Sequence, residues 1–182
     1  SGQYIYYGEN DPDYAYSVTI DSKEFNEGSK RDEFAENPEE TIKQELGSAI
    51  LDREDKTCKN AKTYQYTIGT NNNYTITLAE NEGFEIKPLE IVITPENGQS
   101  KYYGENDLNY YKYGVTIKWP EGYTHNPLWI DTDDIKAELD GEKEGTPTIK
   151  VLEREKGEDA DFYAYEYAGE NKNYTASIEK EA

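Results

Sequence analysis

The chain has 182 residues, with 39 Asp and Glu against 19 Lys and Arg, for a formal charge of −20 and a pI near 4.3. Phosphate contacts need clustered Lys and Arg, so this balance argues against nucleic acid as a partner and disfavours an anionic membrane surface. Only 34% of residues are hydrophobic and the mean hydropathy is −1.06; no apolar run approaches the roughly 20 residues of a membrane span, so no membrane insertion is expected of this segment. No basic, apolar leader opens it either, which places any signal peptide outside it.

Acidic, polar chains often fail to bury enough surface to fold. Here aromatics make up 13% of residues and 18 of them are Tyr. Most of these Tyr fall in alternating runs, which points to a folded, Tyr-cored protein. Cys58 is the one cysteine, so no internal disulfide is available.

The first element, GQYIYYGEND at 2–11, returns as GQSKYYGEND at 98–107, with eight of ten positions identical. Next, DYAYSVTI at 13–20 puts Tyr14, Tyr16, Val18 and Ile20 on one face, the period of a half-buried strand. A short helix follows. Asn37 caps it, Pro38 stands in its first turn, Glu39 and Glu40 complement its dipole, Ile42 and Leu46 share a face, and Gly47 stops it. LDRED at 51–55 leads to TYQYTIG, with Tyr64, Tyr66 and Ile68 on one face, and NYTITL adds Tyr74, Ile76 and Leu78.

After FEIKP at 84–88 and LEIVIT at 89–94 the order repeats. YYKYGVTIK at 110–118 carries Tyr111, Tyr113, Val115 and Ile117 on one face. Thr132 is the expected cap for a helix with Ile135 and Leu139 on one side. LEREK at 152–156 pairs with LDRED, FYAYEYAG carries Tyr163, Tyr165 and Tyr167, and NYTASI matches NYTITL. The chain therefore reads as a tandem duplication, repeat 1 over 1–88 and repeat 2 over 89–182. Divided after residue 94, each half carries a net −10, so the acidity belongs to the repeat. LEIVIT precedes the matching motifs of repeat 2 and GFEIKP ends repeat 1, and neither has a counterpart in the other repeat; a segment of a longer array is the simplest reading. The expected fold is mostly β: two tandem Ig-like β-sandwich repeats, each with one short helix. The element order also suits a β-grasp arrangement.

The ordered set YYGEND(P), L-x-R-E, aromatic strand and NYT-(I/A), occurring twice between Gln3 and Ile178, resembles the mostly-beta, glycine-rich (MBG) repeats of large bacterial surface proteins, in their YGX form. Leu108 stands where the family's Pro is kept as Pro12, and the chain has only 14 Gly. The resemblance implies an extracellular, adhesin-like protein, cell-surface or secreted, built from neighbouring repeats, with no catalytic residues. The implied role is a non-enzymatic stalk or spacer. FEIKPLEIVI lacks Gly and Ser, so the joint should be stiff.

Candidate chemistry is sparse. His125 is the one histidine, so a Ser–His or Cys–His system would rest on it alone, and the chain is read as not an enzyme. Calcium is a candidate cofactor at Glu9, Asn10, Asp11 and Asp13, at Glu105, Asn106 and Asp107, and at Asp131, Asp133 and Asp134, because it takes hard oxygen ligands; none matches the spaced calcium loop, and turn-building is the preferred reading. The repeats differ most at WPEGYTHNPLW, 119–129, against DSKEFNEGSKRDEF, 21–34. Trp119, Tyr123, His125 and Trp129 form the candidate ligand site, able to stack on a host glycan or meet a host matrix protein. The preferred reading is that the two Trp plug the sandwich end beneath a Pro-pinned loop. Asn73 and Asn173 both begin N-Y-T sequons, read here as turn plus strand.

Overall fold

The computed structural model describes residues 2–21, 37–142 and 146–179. Among them are ten short strands in small sheets of two or three, two nine-residue helices and one 3₁₀ turn, a mostly β structure. Segment 21–34, set against 119–129 above, lies outside the described residues apart from Asp21. The chain divides into two compact units: unit 1 is Ser1–Tyr4, Asp11–Cys58 and Lys62–Glu85, and unit 2 is Ile5–Asn10, Lys59–Ala61 and Ile86–Ala182. β1 (Tyr4–Tyr6), β5 (Phe84–Lys87) and β3 (Lys62–Tyr64) are neighbours in that order.

In unit 1, helix α1 (Pro38–Leu46) starts as the sequence expects. The Asn37 side chain accepts from Glu40 N, and Pro38 occupies the first turn, where a missing N–H costs nothing. A 3₁₀ turn (Ser48–Ile50) then feeds β2 (Leu51–Arg53), which runs antiparallel to β4 (Tyr66–Ile68), pairing Leu51 with Ile68 and Arg53 with Tyr66. Tyr14, Ile42, Ile50, Leu51, Tyr64 and Phe84 are buried. Tyr14 makes T-shaped contacts with Phe84 at 4.9 Å and with Tyr66 at 5.6 Å. Gly83 has φ +82°, and a Cβ there would meet Tyr64 O at 2.5 Å, so this close approach needs glycine.

At the centre of unit 1 is Arg53, its side chain 0% exposed. Its Nε donates to Asp11 at 3.1 Å and its Nη1 to the carbonyls of Asp55 and Cys58 at 2.8 and 2.9 Å. Its guanidinium lies 4.5 Å from the Tyr64 ring centre. A buried cation is tolerable only when it is paired and its donors are satisfied.

In unit 2, β6 (Leu89–Pro95) is the middle strand of β10–β6–β7, parallel to β10 (Tyr174–Ile178) and antiparallel to β7 (Tyr113–Ile117). Leu89, Ile91 and Ile93 are at most 1% exposed, each contributing about 1.5–3 kcal/mol of burial. Helix α2 (Thr132–Asp140) buries Ile135 and Leu139. Its cap is Asp131 and not Thr132. Asp131 accepts from both Asp133 N and Asp134 N while Asp134 accepts from Asp131 N, a reciprocal box that a hydroxyl one residue later cannot close. β8 (Leu152–Arg154) pairs antiparallel with β9 (Tyr165–Tyr167), placing Leu152 opposite Tyr167 and Arg154 opposite Tyr165. Arg154 Nε donates to Asp107 at 2.7 Å, and its guanidinium stands 4.8 Å from the Tyr163 ring centre.

The expected strands at 13–20 and 73–78 are not strands. The alternation of burial over 14–20 is present all the same: Tyr14 is buried, Tyr16, Val18 and Ile20 are half-buried, and the residues between them are exposed. Side-chain pattern sets which face turns inward; a ladder also needs a partner strand. Their sequence counterparts 111–117 and 174–178 contain β7 and β10, which both pair with β6, and unit 1 has no strand in the place of β6 among its described residues.

Removing Arg53 strands the Asp11 carboxylate and two carbonyls. Arg53→Ala should lower the stability of unit 1 by about 3 kcal/mol, whereas Arg154→Ala, whose Asp107 partner is 38% exposed, should cost less. Urea denaturation followed by Cys58 accessibility for unit 1, and by Trp fluorescence for unit 2, checks both.

Candidate functional site

The candidate residues lie in unit 2 around the segment Ile5–Asn10, which carries the first YYGEN sequence. Gly8 makes its turn at φ +95°; a Cβ would strike Ile130 Cδ1 at 2.6 Å, so only glycine lets this turn sit there. Trp129 N donates to Gly8 O at 2.8 Å and Asn10 N to Pro127 O at 2.9 Å. Glu9 is 1% exposed. Its carboxylate accepts from Tyr6 N at 2.6 Å, Tyr123 OH at 2.8 Å and Asn126 N at 2.5 Å. Three donors on one buried carboxylate explain why an acid can be core here.

The structure brings three of the four candidates together. Trp119 lies nearly parallel to His125 at 4.6 Å and to Tyr123 at 5.9 Å, and Tyr6 meets Trp119 and Tyr123 at 5.9 and 5.1 Å, each in an edge contact. Trp119 and Tyr123 are half-buried and His125 is exposed. Trp129 stands apart from that stack. Its ring makes a T-shaped contact with Tyr7 at 5.3 Å, and Lys59 Nζ lies 5.8 Å from its centre. Trp129 is 36% exposed and lines an open cleft of about 560 Å³ together with Ile130, Asp134, Glu138 and Glu142. An indole beside carboxylates can stack on a sugar ring and accept from its hydroxyls.

In the cleft lining, Glu138 accepts from Tyr7 OH at 3.0 Å and from Tyr174 OH at 2.7 Å. Burial, then the Glu138 charge, raises the Tyr7 phenol well above its usual value of 10.0. Burial and the hydrogen bond to Glu138 do the same for Tyr174, and burial and Asp140 for Tyr113. Sequence reasoning missed Tyr6, Tyr7 and Glu9 as partners of this segment. Their only signal was the repeated motif, which gives no indication that its first copy seats on residues more than a hundred positions away.

Several members of the acidic clusters have other partners: Glu9 as above, Asp11 on Arg53, Asp107 on Arg154, and Asp131 and Asp134 in the cap of α2. Among the described residues no group of three or more His, Cys, Asp or Glu side chains converges as a metal site. Cys58 accepts from Tyr64 OH at 3.2 Å. No helix among them is long and apolar enough to cross a membrane. No family model, curated protein or solved structure matches the chain.

Glu9 and its sequence counterpart Glu105 separate the seated motif from the exposed one. Glu105 accepts from Tyr102 N at 2.9 Å, but Tyr102 and Tyr103 are 82% and 79% exposed. Glu9→Ala should cost unit 2 about 2–3 kcal/mol, read by Trp fluorescence in urea, and Glu105→Ala should leave the midpoint in place.

Because the folded state holds these phenols protonated, their contribution is complete below the unfolded value near 10 and is lost as pH climbs above it. The melting temperature should be level from pH 7 to 9 and fall above about 10. Tyrosinate absorbance at 295 nm should show the buried phenols ionising together with unfolding.

Proposed function

We propose that the chain is a non-enzymatic, tandem-repeat segment of a bacterial cell-surface or secreted protein, acting as a stalk or spacer in adhesion. The observation that carries this reading is one contact set made separately in each unit. The motif aspartate holds the L-x-R-E arginine, and that arginine lies over the first tyrosine of the aromatic run: Asp11, Arg53 and Tyr64 in unit 1, Asp107, Arg154 and Tyr163 in unit 2. The strand registers agree as well, Leu51–Ile68 with Leu152–Tyr167 and Arg53–Tyr66 with Arg154–Tyr165. Residues that serve one another's packing twice over are what a repeated module requires, and the MBG-like motif set is then a packing signature. Each repeat is proposed as an Ig-like β-sandwich, with a β-grasp arrangement as the alternative. Modules of this kind in series make a quasi-linear rod, and a net −10 on each half keeps neighbouring rods apart.

A second reading is favoured by the cleft at Trp129: unit 2 would bind a carbohydrate or a host protein there. The aromatic stack at Trp119 lends it less support, because those rings are spent on one another and on Tyr6.

A screen of the whole chain against glycans and matrix proteins, run with calcium and again with EGTA, separates the readings. The spacer predicts no specific binder in either buffer. A specific hit that falls at least about tenfold in Trp129→Ala, with the melting temperature unchanged, would overturn it in favour of a binding module.

A further inference from the structure

In unit 2 the sheet is built on β6. Leu89 N donates to Asn173 O and Ile93 O accepts from Glu179 N on the β10 side; Glu90 O accepts from Lys118 N and Glu96 N donates to Lys112 O on the β7 side. The two flanking strands are also fastened to helix α2 by their first tyrosines. Tyr113 OH donates to Asp140 at 2.7 Å, with Lys136 Nζ 4.5 Å from its ring centre, and Tyr174 OH donates to Glu138 at 2.7 Å.

Unit 1 repeats the fastenings, and among its described residues no strand takes the place of β6 between them. Tyr16, the counterpart of Tyr113, donates its OH to Gly47 O at 2.7 Å, and Lys43 Nζ lies 5.9 Å from its ring centre. Tyr74, the counterpart of Tyr174, donates to Glu45 at 2.5 Å. Both flanks are thus held on α1 as their counterparts are held on α2. Both tyrosines are less buried than those counterparts, which are 4% and 6% exposed, and Leu78 is 41% exposed. In the β10–β6–β7 arrangement the outer strands stand two strand spacings apart, about 10 Å.

We propose that unit 1 carries an open strand slot between Tyr16–Thr19 and Tyr74–Leu78, and that its occupant is a β-strand with the Leu-x-Ile-x-Ile alternation of β6. The strand lies parallel to Tyr74–Leu78 and antiparallel to Tyr16–Thr19. This rests on the tandem-repeat reading and deepens it: a repeat is finished by a strand that stands ahead of its YYGEN motif, so successive repeats are completed in order along the chain. Main-chain hydrogen bonds supply the affinity of such an addition, and the aliphatic alternation supplies its specificity. The same open edges would be a hazard for nonspecific pairing if left uncovered.

The test places residues 89–97 directly ahead of Gly2 in the full chain, at the spacing β6 has to Gly98. The expected result is a higher urea midpoint for unit 1, read at Cys58, with at least about tenfold slower amide exchange at Ser17, Thr19, Thr75 and Thr77. The same extension with Asp at the positions of Ile91 and Ile93 should give neither effect. A synthetic peptide of residues 88–97 added in trans should shift the same four amides of the original chain by NMR. Unchanged exchange at those amides in the extended chain, or protection that persists with the Asp pair, overturns the slot. That result leaves the spacer reading standing, because the spacer reading fails only on a specific ligand.

Discussion

A guanidinium fixed by the motif aspartate, one tyrosine face and the carbonyls of a turn recurs in both units, and unit 1 depends on it most. In unit 1 it is Arg53 on Asp11, over Tyr64 and under the carbonyls of Asp55 and Cys58. The site ties together three pieces of chain that sequence keeps far apart: the end of the YYGEND motif, the short strand β2, and the aromatic run after it. Lysine would not serve. Its ammonium is a point charge with no planar face to lie on a ring and no fork to reach a carboxylate and two carbonyls together. Arg154 makes the same arrangement at a wetter position, with Lys101 also bridging to Asp107. The second cation there compensates for greater exposure, where a single ion pair is worth little.

With 39 acids and 19 bases, most carboxylates in this protein cannot find a cation. Tyrosine supplies donors to several of them. Tyr7 and Tyr174 serve Glu138, Tyr74 serves Glu45, Tyr113 serves Asp140, and Tyr123 serves Glu9. A phenol brings a large apolar ring and one donor, so it fills the core and satisfies a carboxylate at its edge in the same residue. That accounts for a chain in which Tyr makes up 18 residues and Phe 4: Phe would pack as well but would take a donor away from the acid. The −20 charge and the tyrosine content are thus two aspects of one solution.

What could be read from the sequence follows from how local each cause is. Helix α1 was legible because Asn37, Pro38 and Gly47 act within a few residues of themselves. The cap of α2 was misplaced by one residue because Asp131 and Thr132 are both good caps, and only the reciprocal bond from Asp134 decides between them. The inward faces of 14–20 and 64–68 were legible from period two. The absence of a ladder at 13–20 was not, since alternation describes a face and says nothing of whether a neighbour is present. Least legible was the seat of the first YYGEN motif. Its partners Tyr123, Asn126 and Trp129 lie in the segment where the two halves of the sequence differ most, so comparing the halves hides the relation it would need to reveal.

The divergence at 119–129 then has a physical cause that does not call on a ligand. A segment that must receive Tyr6, Gly8 and Glu9 needs an aromatic wall, a backbone N–H to donate to Gly8 O, and donors for a buried carboxylate. Trp119, Trp129, Tyr123 and Asn126 provide these. Recognition by stacking needs the opposite, a ring face left free. Trp119 lies nearly parallel to two other rings, so of the two indoles only Trp129, beside its open cleft, retains room for a partner. Trp119, Tyr123 and His125 stack on one another, and a binding role for this segment therefore rests on Trp129, the candidate that lines the cleft.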